Sequence, residues 1–230
     1  MPERQGTFAS IKGGPCDFSQ HMTEEVMPQL VALSLSIAVL GAIWAFLALG
    51  PLAGFVLVWA GFIAWGCFFH TGGDQKALIK TICGNVFGII VAWIALLIIF
   101  KGGVVGMGTV AIAIVVGVTV FVLVIVAKID QLSAVPANVY GYAATVAFAL
   151  QTHFAAPAIT APAGATPEVT AVYDELAKAL GAAAAADPLA NLTSPSVANP
   201  LVIMIISMVL GALFGLVSGK VAGAIGKKAG

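Results

Sequence analysis

Six long apolar segments with almost no charge inside them are the feature that most restricts the fold of this sequence. They cover residues 28–49, 52–70, 76–100, 103–127, 137–154 and 199–219. A helix needs about 20 apolar residues to cross the hydrocarbon core of a bilayer. The segments therefore predict an all-α, polytopic integral membrane protein in which every one of them is a transmembrane helix.

The composition leads to the same class. Hydrophobic residues make up 60% of the 230 residues and charged residues 9%, whereas a soluble domain is about a quarter charged. A chain of this length has no room for a second domain of any size, so functional groups must come from the helices and their loops. The net charge is zero and gives no reason to expect nucleic acid as a partner. The expected partner is the lipid bilayer.

Basic residues at the ends of the segments predict the orientation. If six helices alternate in direction, eight basic residues collect on one side and two on the other. The eight are Arg4, Lys12, Lys76, Lys80, Lys128, Lys220, Lys227 and Lys228, and the two are Lys101 and Lys178. Because Lys and Arg are enriched on the cytoplasmic side, both termini are predicted to be cytoplasmic. Without the fifth segment Lys220, Lys227 and Lys228 would move to the outer side and the asymmetry would be weaker, so the pattern also favours six spans.

This topology divides the chain into four regions. They are a cytoplasmic tail (1–27), a five-helix membrane region (28–154), an extracytoplasmic loop (155–198) and a sixth helix with a cytoplasmic C-terminus (199–230). Inside the loop, the sequence TPEVTAVYDELAKAL predicts a short amphipathic helix capped by Thr166, with Pro167 as its first residue. We expect this helix to cover the outer ends of the membrane helices or to act as a lid over an outer mouth.

The stretch HTGGD, residues 70–74, interrupts the apolar sequence between the second and third segments. Gly72 and Gly73 permit a tight reversal of the chain, and Asp74 is a suitable N-cap for the third helix. These residues predict a cytoplasmic turn that needs no chemistry to explain it.

Sequence features typical of enzymes and metal sites are absent. The sequence has no GxSxG, HExxH, Walker or CxxC motif. In the alternating topology His70 and His153 lie on opposite sides of the bilayer, so a shared metal is not expected. We expect no enzymatic activity, no metal and no cofactor. The lack of carboxylates inside the spans also disfavours a proton-coupled carrier, while sodium coupling through main-chain carbonyls and hydroxyls remains open.

Neutral polar residues are the remaining candidates for function. On the third helix, Thr81 and Asn85 belong to a stripe of small and polar residues. Asn85 lies about 7 Å deeper than Lys80 at about 1.5 Å per residue, where an amide needs a partner or water. The segment VPANVYGY adds Asn138, Tyr140 and Tyr142 at the same side of the membrane as His70. These residues fit either a selectivity region for a polar solute or ordinary interfacial helix ends.

Two further groups complete the candidate residues. Gln151 and His153 lie at the outer end of the fifth segment and would serve an outer mouth. The last segment has a glycine every four residues, at Gly211, Gly215, Gly219 and Gly223. This small-xxx-small spacing predicts close helix packing or oligomerisation.

Several of these stretches resemble a known family. An aromatic helix with Trp44, the sequence WAGFIAWGCFF, the sequence VPANVYGYAATVAFAL and a last glycine-spaced helix are similar to the YcdZ-like family of small bacterial inner-membrane proteins, a domain of unknown function. The resemblance covers residues 30–154 and 199–220. It implies a compact multi-pass protein of the bacterial inner membrane and provides no substrate.

Two functions follow from these observations. The first is a passive channel or facilitator for a small uncharged polar solute, assembled as a homo-oligomer and lined by the polar residues named above. The alternative is a non-catalytic accessory or assembly subunit of a larger membrane complex, which would dock through the N-terminal tail or the outer loop.

Overall fold

The computed structural model describes residues 18–150, 164, 166–184 and 189–226. Within that part of the chain the fold is built from seven α-helices and contains no β-strand. The helices are α1 (Phe18–Leu49), α2 (Val58–His70), α3 (Gln75–Leu96), α4 (Thr109–Ile125), α5 (Val135–Leu150), α6 (Pro167–Ala184) and α7 (Pro200–Gly226). A π-turn over Leu97–Lys101 extends α3. The all-helical prediction is therefore confirmed.

Each of the six apolar segments contains one helix, but the helices differ in their capacity to cross a membrane. Four are long and apolar enough: α1, α3 with its π-turn, α4 and α7. The other two, α2 and α5, have 13 and 16 residues. At the helical rise α2 reaches about 20 Å and the described part of α5 about 24 Å, less than the roughly 30 Å of a hydrocarbon core. The four long helices indicate a multi-pass membrane protein.

The helix boundaries differ from the predicted ones at three places. The N-terminal tail is helical from Phe18, because its Gln, Met and Glu residues favour helix beyond the apolar segment. In contrast, α2 begins at Val58 and not at residue 52, because the chain turns at Pro51 and Gly54, whose φ is +82°. Helix α5 begins at Val135, so Pro136 lies in the first turn, where no hydrogen bond is lost.

The helices are arranged around two close pairs, α3 with α5 and α2 with α7. Side chains of these four helices share one core, which includes Ala60, Ile89, Phe148, Met204 and Met208. Helix α1 lies along α7, where the Ser36 hydroxyl donates to the Ser218 carbonyl at 2.8 Å. Helix α4 is peripheral, and most of its surface is exposed.

The glycines of α7 have different surroundings. Gly211 lies directly against the main chain of Gly61 on α2. A Cβ at Gly215 would lie 2.8 Å from the Phe68 ring, whereas one at Gly219 would meet only Phe69 at 3.9 Å. A Cβ at Gly223 would meet nothing within 4 Å. The first two glycines thus allow α7 to approach α2 within the chain itself.

One end of the bundle carries most of the described lysines. Lys76, Lys80, Lys128 and Lys220 lie there, and we refer to it as the lysine-rich end. Lys80 Nζ is 2.9 Å from Asp130 Oδ1 and 3.0 Å from Ser133 Oγ, which joins α3 to the α4–α5 connection. The α2–α3 turn is at the same end.

Two predicted caps are confirmed. In the α2–α3 turn, Gly72 and Gly73 have φ values of +131° and +72°, and Asp74 Oδ1 accepts from the Ala77 amide at 2.6 Å. At α6, Pro167 is the first helical residue, and Thr166 Oγ1 accepts from the Val169 amide at 3.4 Å. Val172, on the predicted apolar face of α6, is exposed.

Candidate functional site

Four side-chain atoms near the lysine-rich end are buried without a hydrogen-bond partner, within the described residues. They are Thr81 Oγ1, both polar atoms of the Asn85 carboxamide, and Asn138 Oδ1. The side chains are 0%, 1% and 0% exposed, respectively. Since leaving a buried polar group unsatisfied costs about 1–3 kcal/mol, this concentration needs an explanation. We call Thr81, Asn85 and Asn138 the candidate site.

Helix α3 places two of these residues on one face. Thr81 and Asn85 are one helical turn apart, so their side chains are neighbours. Thr81 lies beside the Cys67 side chain on α2, and Cys67 is itself buried. The candidate site therefore lies where α3 meets α2 on one side and α5 on the other.

Glycines bring α3 and α5 into main-chain contact beside the site. A Cβ on Gly84 would lie 2.6 Å from the Ala137 Cβ and 2.8 Å from Asn138 Oδ1. One turn further, Gly88 lies directly against the main-chain carbonyl oxygen of Asn138. Gly141 on α5 lies in the same way against the carbonyl oxygen of Asn85. No side chain larger than hydrogen fits at either of these last two positions.

These reciprocal contacts come from a short repeat in the sequence. Residues 85–88 read NVFG and residues 138–141 read NVYG. The main-chain carbonyl oxygen of the asparagine in each copy lies against the glycine of the other copy. The two segments are therefore related by an approximate local two-fold arrangement. The repeated tetrapeptide is visible in the sequence, but its role depends on the pairing of α3 with α5, which the sequence did not predict.

The two repeated asparagines have different partners. Asn138 Nδ2 donates to the Leu123 carbonyl at 2.9 Å and to the Leu132 carbonyl at 3.1 Å. The amide of Asn138 thereby holds the end of α4 and the segment that precedes α5. The Asn85 carboxamide has no hydrogen-bond partner among the described residues. Asn138 thus has a structural role that Asn85 does not share.

Three other residues predicted for a pore, His70, Tyr140 and Tyr142, lie outside the candidate site. His70 is exposed, and its ring contacts the Tyr140 ring edge-on with centroids 6.5 Å apart. Tyr142 is buried towards α4, with its hydroxyl 3.0 Å from Thr119 Oγ1. Gln151 and His153 lie outside the described residues. The structure therefore brings together three of the eight predicted residues, namely Thr81, Asn85 and Asn138.

The opposite end of the α3–α5 pair is covered by the loop that precedes α7. Leu192 is fully buried there against Leu96 and Ala149. Its carbonyl oxygen accepts from Trp93 Nε1 at 2.8 Å and from Asn199 Nδ2 at 3.1 Å. No sequence pattern indicated this closure.

The chemistry available at the candidate site is that of neutral hydrogen-bonding groups. Within the described ranges, no three or more His, Cys, Asp or Glu residues are placed to hold a metal ion. A surface groove of about 370 Å³ lies elsewhere, lined by Phe121, Val124, Ile125, Ala127 and Lys128 of α4 and the residues after it.

Long apolar helices in close glycine contact, with a neutral polar site buried between them, define an α-helical multi-pass membrane protein. The chain belongs to the family DUF1097, described as a protein of unknown function, whose model matches residues 34–223. That range includes the whole candidate site. No curated protein and no solved structure matches the chain.

Proposed function

We propose that this protein is a passive channel or facilitator for a small uncharged polar solute, and that Asn85 is where the solute forms hydrogen bonds. The observation that supports the proposal is the unpartnered carboxamide of Asn85, which is 1% exposed. The same residue type in the second copy of the repeat has both amide hydrogens bound by the protein.

The free energy of the site supports a role beyond packing. A buried unsatisfied amide destabilises the fold by about 1–3 kcal/mol, and an apolar side chain would avoid that cost. A passing solute that donates a hydrogen bond to Asn85 Oδ1 and accepts one from Asn85 Nδ2 would offset this free-energy cost. Thr81 Oγ1 and Asn138 Oδ1 provide further hydrogen-bonding positions beside it.

The described conformation is, in this proposal, the closed one. Asn85 is buried at the lysine-rich end, and Leu192 fills the opposite end of the same helix pair. Between them, α3 and α5 present small buried residues, including Gly88, Ala92 and Thr145. Solute entry then requires a movement at both ends. The described buried residues of α3 and α5 include no Asp, Glu, Lys, Arg or His, which favours a neutral solute.

We further infer the topology that this function requires. All six apolar helices cross the bacterial inner membrane, with the short helices α2 and α5 enclosed by the longer ones. The lysine-rich end and both termini are cytoplasmic, and α6 lies on the outer side. Within DUF1097, the chain resembles the YcdZ-like proteins through the stretches quoted above.

Solute flux into proteoliposomes tests the proposal. Stopped-flow light scattering would compare the parent protein, Asn85→Leu and the control Ile90→Leu, which changes an exposed residue of the same helix. We expect Asn85→Leu to abolish protein-dependent flux without changing expression or oligomer size, and Ile90→Leu to retain it. Equal flux through Asn85→Leu and the parent would contradict the proposal.

An accessory subunit of a larger membrane complex is the second candidate. The surface available for such a partner is the exposed apolar face of α4, where Val110 and Phe121 are 75% and 65% exposed and which either lipid or a partner helix would cover. Purification in a mild detergent separates the candidates: co-purifying subunits in fixed proportion support an accessory role, whereas a homogeneous homo-oligomer supports the facilitator.

A further inference from the structure

We infer that the candidate site selects solutes that carry a carboxamide-type group, such as formamide, acetamide or urea, over polyols of similar size. This inference rests on the proposed function, because it takes Asn85 as the contact of the solute, and it adds the chemical class of that solute.

The local repeat shows what an asparagine amide bonds to at this position. Asn85 and Asn138 occupy equivalent places in the α3–α5 contact, each with its carbonyl oxygen against the glycine of the other helix. At Asn138 the amide nitrogen donates to two carbonyl oxygens, those of Leu123 and Leu132. The equivalent partner for Asn85 Nδ2 is therefore a carbonyl oxygen, and none of the described residues supplies it.

Two main-chain carbonyls of the helices on either side of α3 are already engaged. On the α2 side, beside Thr81, the Cys67 carbonyl already accepts from the amide and the hydroxyl of Thr71, at 2.9 and 2.8 Å. On the α5 side, the Asn138 carbonyl lies against Gly88. We therefore assign the carbonyl oxygen that pairs with Asn85 Nδ2 to a bound solute.

The acceptors of the site require donors from the same molecule. Asn85 Oδ1 and Asn138 Oδ1 are both buried acceptors without a partner. A carboxamide has one carbonyl acceptor and two N–H donors in one plane, so it can pair with the Asn85 carboxamide in both directions. A polyol has no carbonyl oxygen, and its hydroxyls rotate independently.

Charge restricts the ligand to neutral amides. Lys80, the basic residue nearest in sequence, is held by Asp130 and Ser133 outside the candidate site. An ion bound at Asn85 would be desolvated without a counter-charge, which is far more costly than burying an uncharged amide.

The test compares solutes and then compares variants. Permeability to acetamide, urea, ethylene glycol and glycerol would be measured in proteoliposomes containing the parent, Asn85→Leu or Ile90→Leu, with protein-free liposomes subtracted. We expect the amides to exceed the polyols by about tenfold, the effect of one well-formed hydrogen bond. We expect Asn85→Leu to remove this difference and Ile90→Leu to retain it.

A binding measurement separates recognition from transport. The side-chain ¹⁵N–¹H signal of Asn85, assigned by its loss in Asn85→Leu, would be followed in nanodiscs during titration with acetamide and with ethylene glycol. We expect acetamide to shift this signal while ethylene glycol does not, and the Asn138 signal to move less because its hydrogens are already bonded.

The outcomes distinguish the two proposals. Equal amide and polyol flux, both lost in Asn85→Leu, would overturn the amide selectivity and leave the facilitator intact. An acetamide-dependent shift at Asn85 without flux of any solute would support the amide site and overturn the facilitator. No shift and no selectivity would overturn the inference.

Discussion

Gly88 of α3 lies directly against the main-chain carbonyl oxygen of Asn138 on α5, and no side chain separates the two helices at that point. In a membrane, where lipid is as apolar as the helix surface, such close approach is a main source of helix–helix attraction. This contact fixes the position of Asn138 relative to α3. The equivalent contact of Gly141 with the Asn85 carbonyl fixes Asn85 relative to α5.

Replacement of Gly88 by alanine is expected to destabilise the protein, because the added methyl group would overlap the Asn138 carbonyl. Overpacking of this kind costs about 1–3 kcal/mol. Gly117→Ala is the matched control, since a Cβ at Gly117 on α4 would meet nothing within 4 Å. Thermal unfolding in detergent should show a lower midpoint for Gly88→Ala and an unchanged or higher one for Gly117→Ala. Equal midpoints would show that α3 and α5 do not touch there.

The two repeated asparagines are expected to respond in opposite ways to the same substitution. Asn138→Leu removes two donors from the Leu123 and Leu132 carbonyls, at a cost of about 1–3 kcal/mol. Asn85→Leu removes an amide without a partner and should leave the unfolding midpoint unchanged or raise it. The same thermal assay measures both variants. A large loss of stability in Asn85→Leu would mean that its amide has a structural partner.

The glycines of α7 are expected to differ in how strongly their replacement by alanine lowers stability. Gly211→Ala should weaken the α2–α7 contact, because the methyl group would overlap the main chain of Gly61, whereas Gly223→Ala should be tolerated. Unfolding midpoints and oligomer size by size-exclusion chromatography would be measured for both. If Gly223→Ala altered the oligomer while Gly211→Ala had no effect, these glycines would serve association between copies.

Thr81 and Thr119 provide a second matched pair. Thr81→Val replaces a buried hydroxyl beside the Cys67 side chain with a methyl group of similar size, so stability should change little while solute flux falls. Thr119→Val leaves the Tyr142 hydroxyl without its partner at 3.0 Å, so stability should fall by about 1–3 kcal/mol. Thermal unfolding and proteoliposome flux check these expectations. Unchanged flux in Thr81→Val would remove Thr81 from the path.

Leu192 is expected to hold the end of the α3–α5 pair closed. Leu192→Ala should destabilise the protein by about 2–5 kcal/mol, as other large-to-small core changes do, and should raise basal solute flux. Leu213→Ala, at a partly exposed residue of α7, is the control and should have a small effect on both. A loss of stability without any rise in flux would give Leu192 a packing role alone.

The sequence predicted the helices and turns where the local pattern determines them. Apolar runs located six helices, and Gly72, Gly73 and Asp74 specified the α2–α3 turn. It did not predict the short length of α2, because apolar residues continue through the turn at Pro51 and Gly54. Hydropathy measures the transfer of side chains into lipid and does not show where the chain bends.

The candidate site was predicted only in part. The polar type and depth of Asn85 singled it out from the sequence. The different role of Asn138 depends on the Leu123 and Leu132 carbonyls, which belong to main chain at the end of α4 and after it. The contact of the Tyr142 hydroxyl with Thr119 Oγ1 was likewise not predicted, because it is set by how the helices pair.

The repeat also has a consequence for biosynthesis. Gly88 is synthesised well before Gly141, and at about 5–20 residues per second the interval is roughly 3–10 s. During that time the glycine face of α3 is in the membrane without α5, its partner in the close main-chain contact. Correct insertion of α5 therefore depends on α3 being present to receive it, and other helices with small faces compete for the same surface until it arrives.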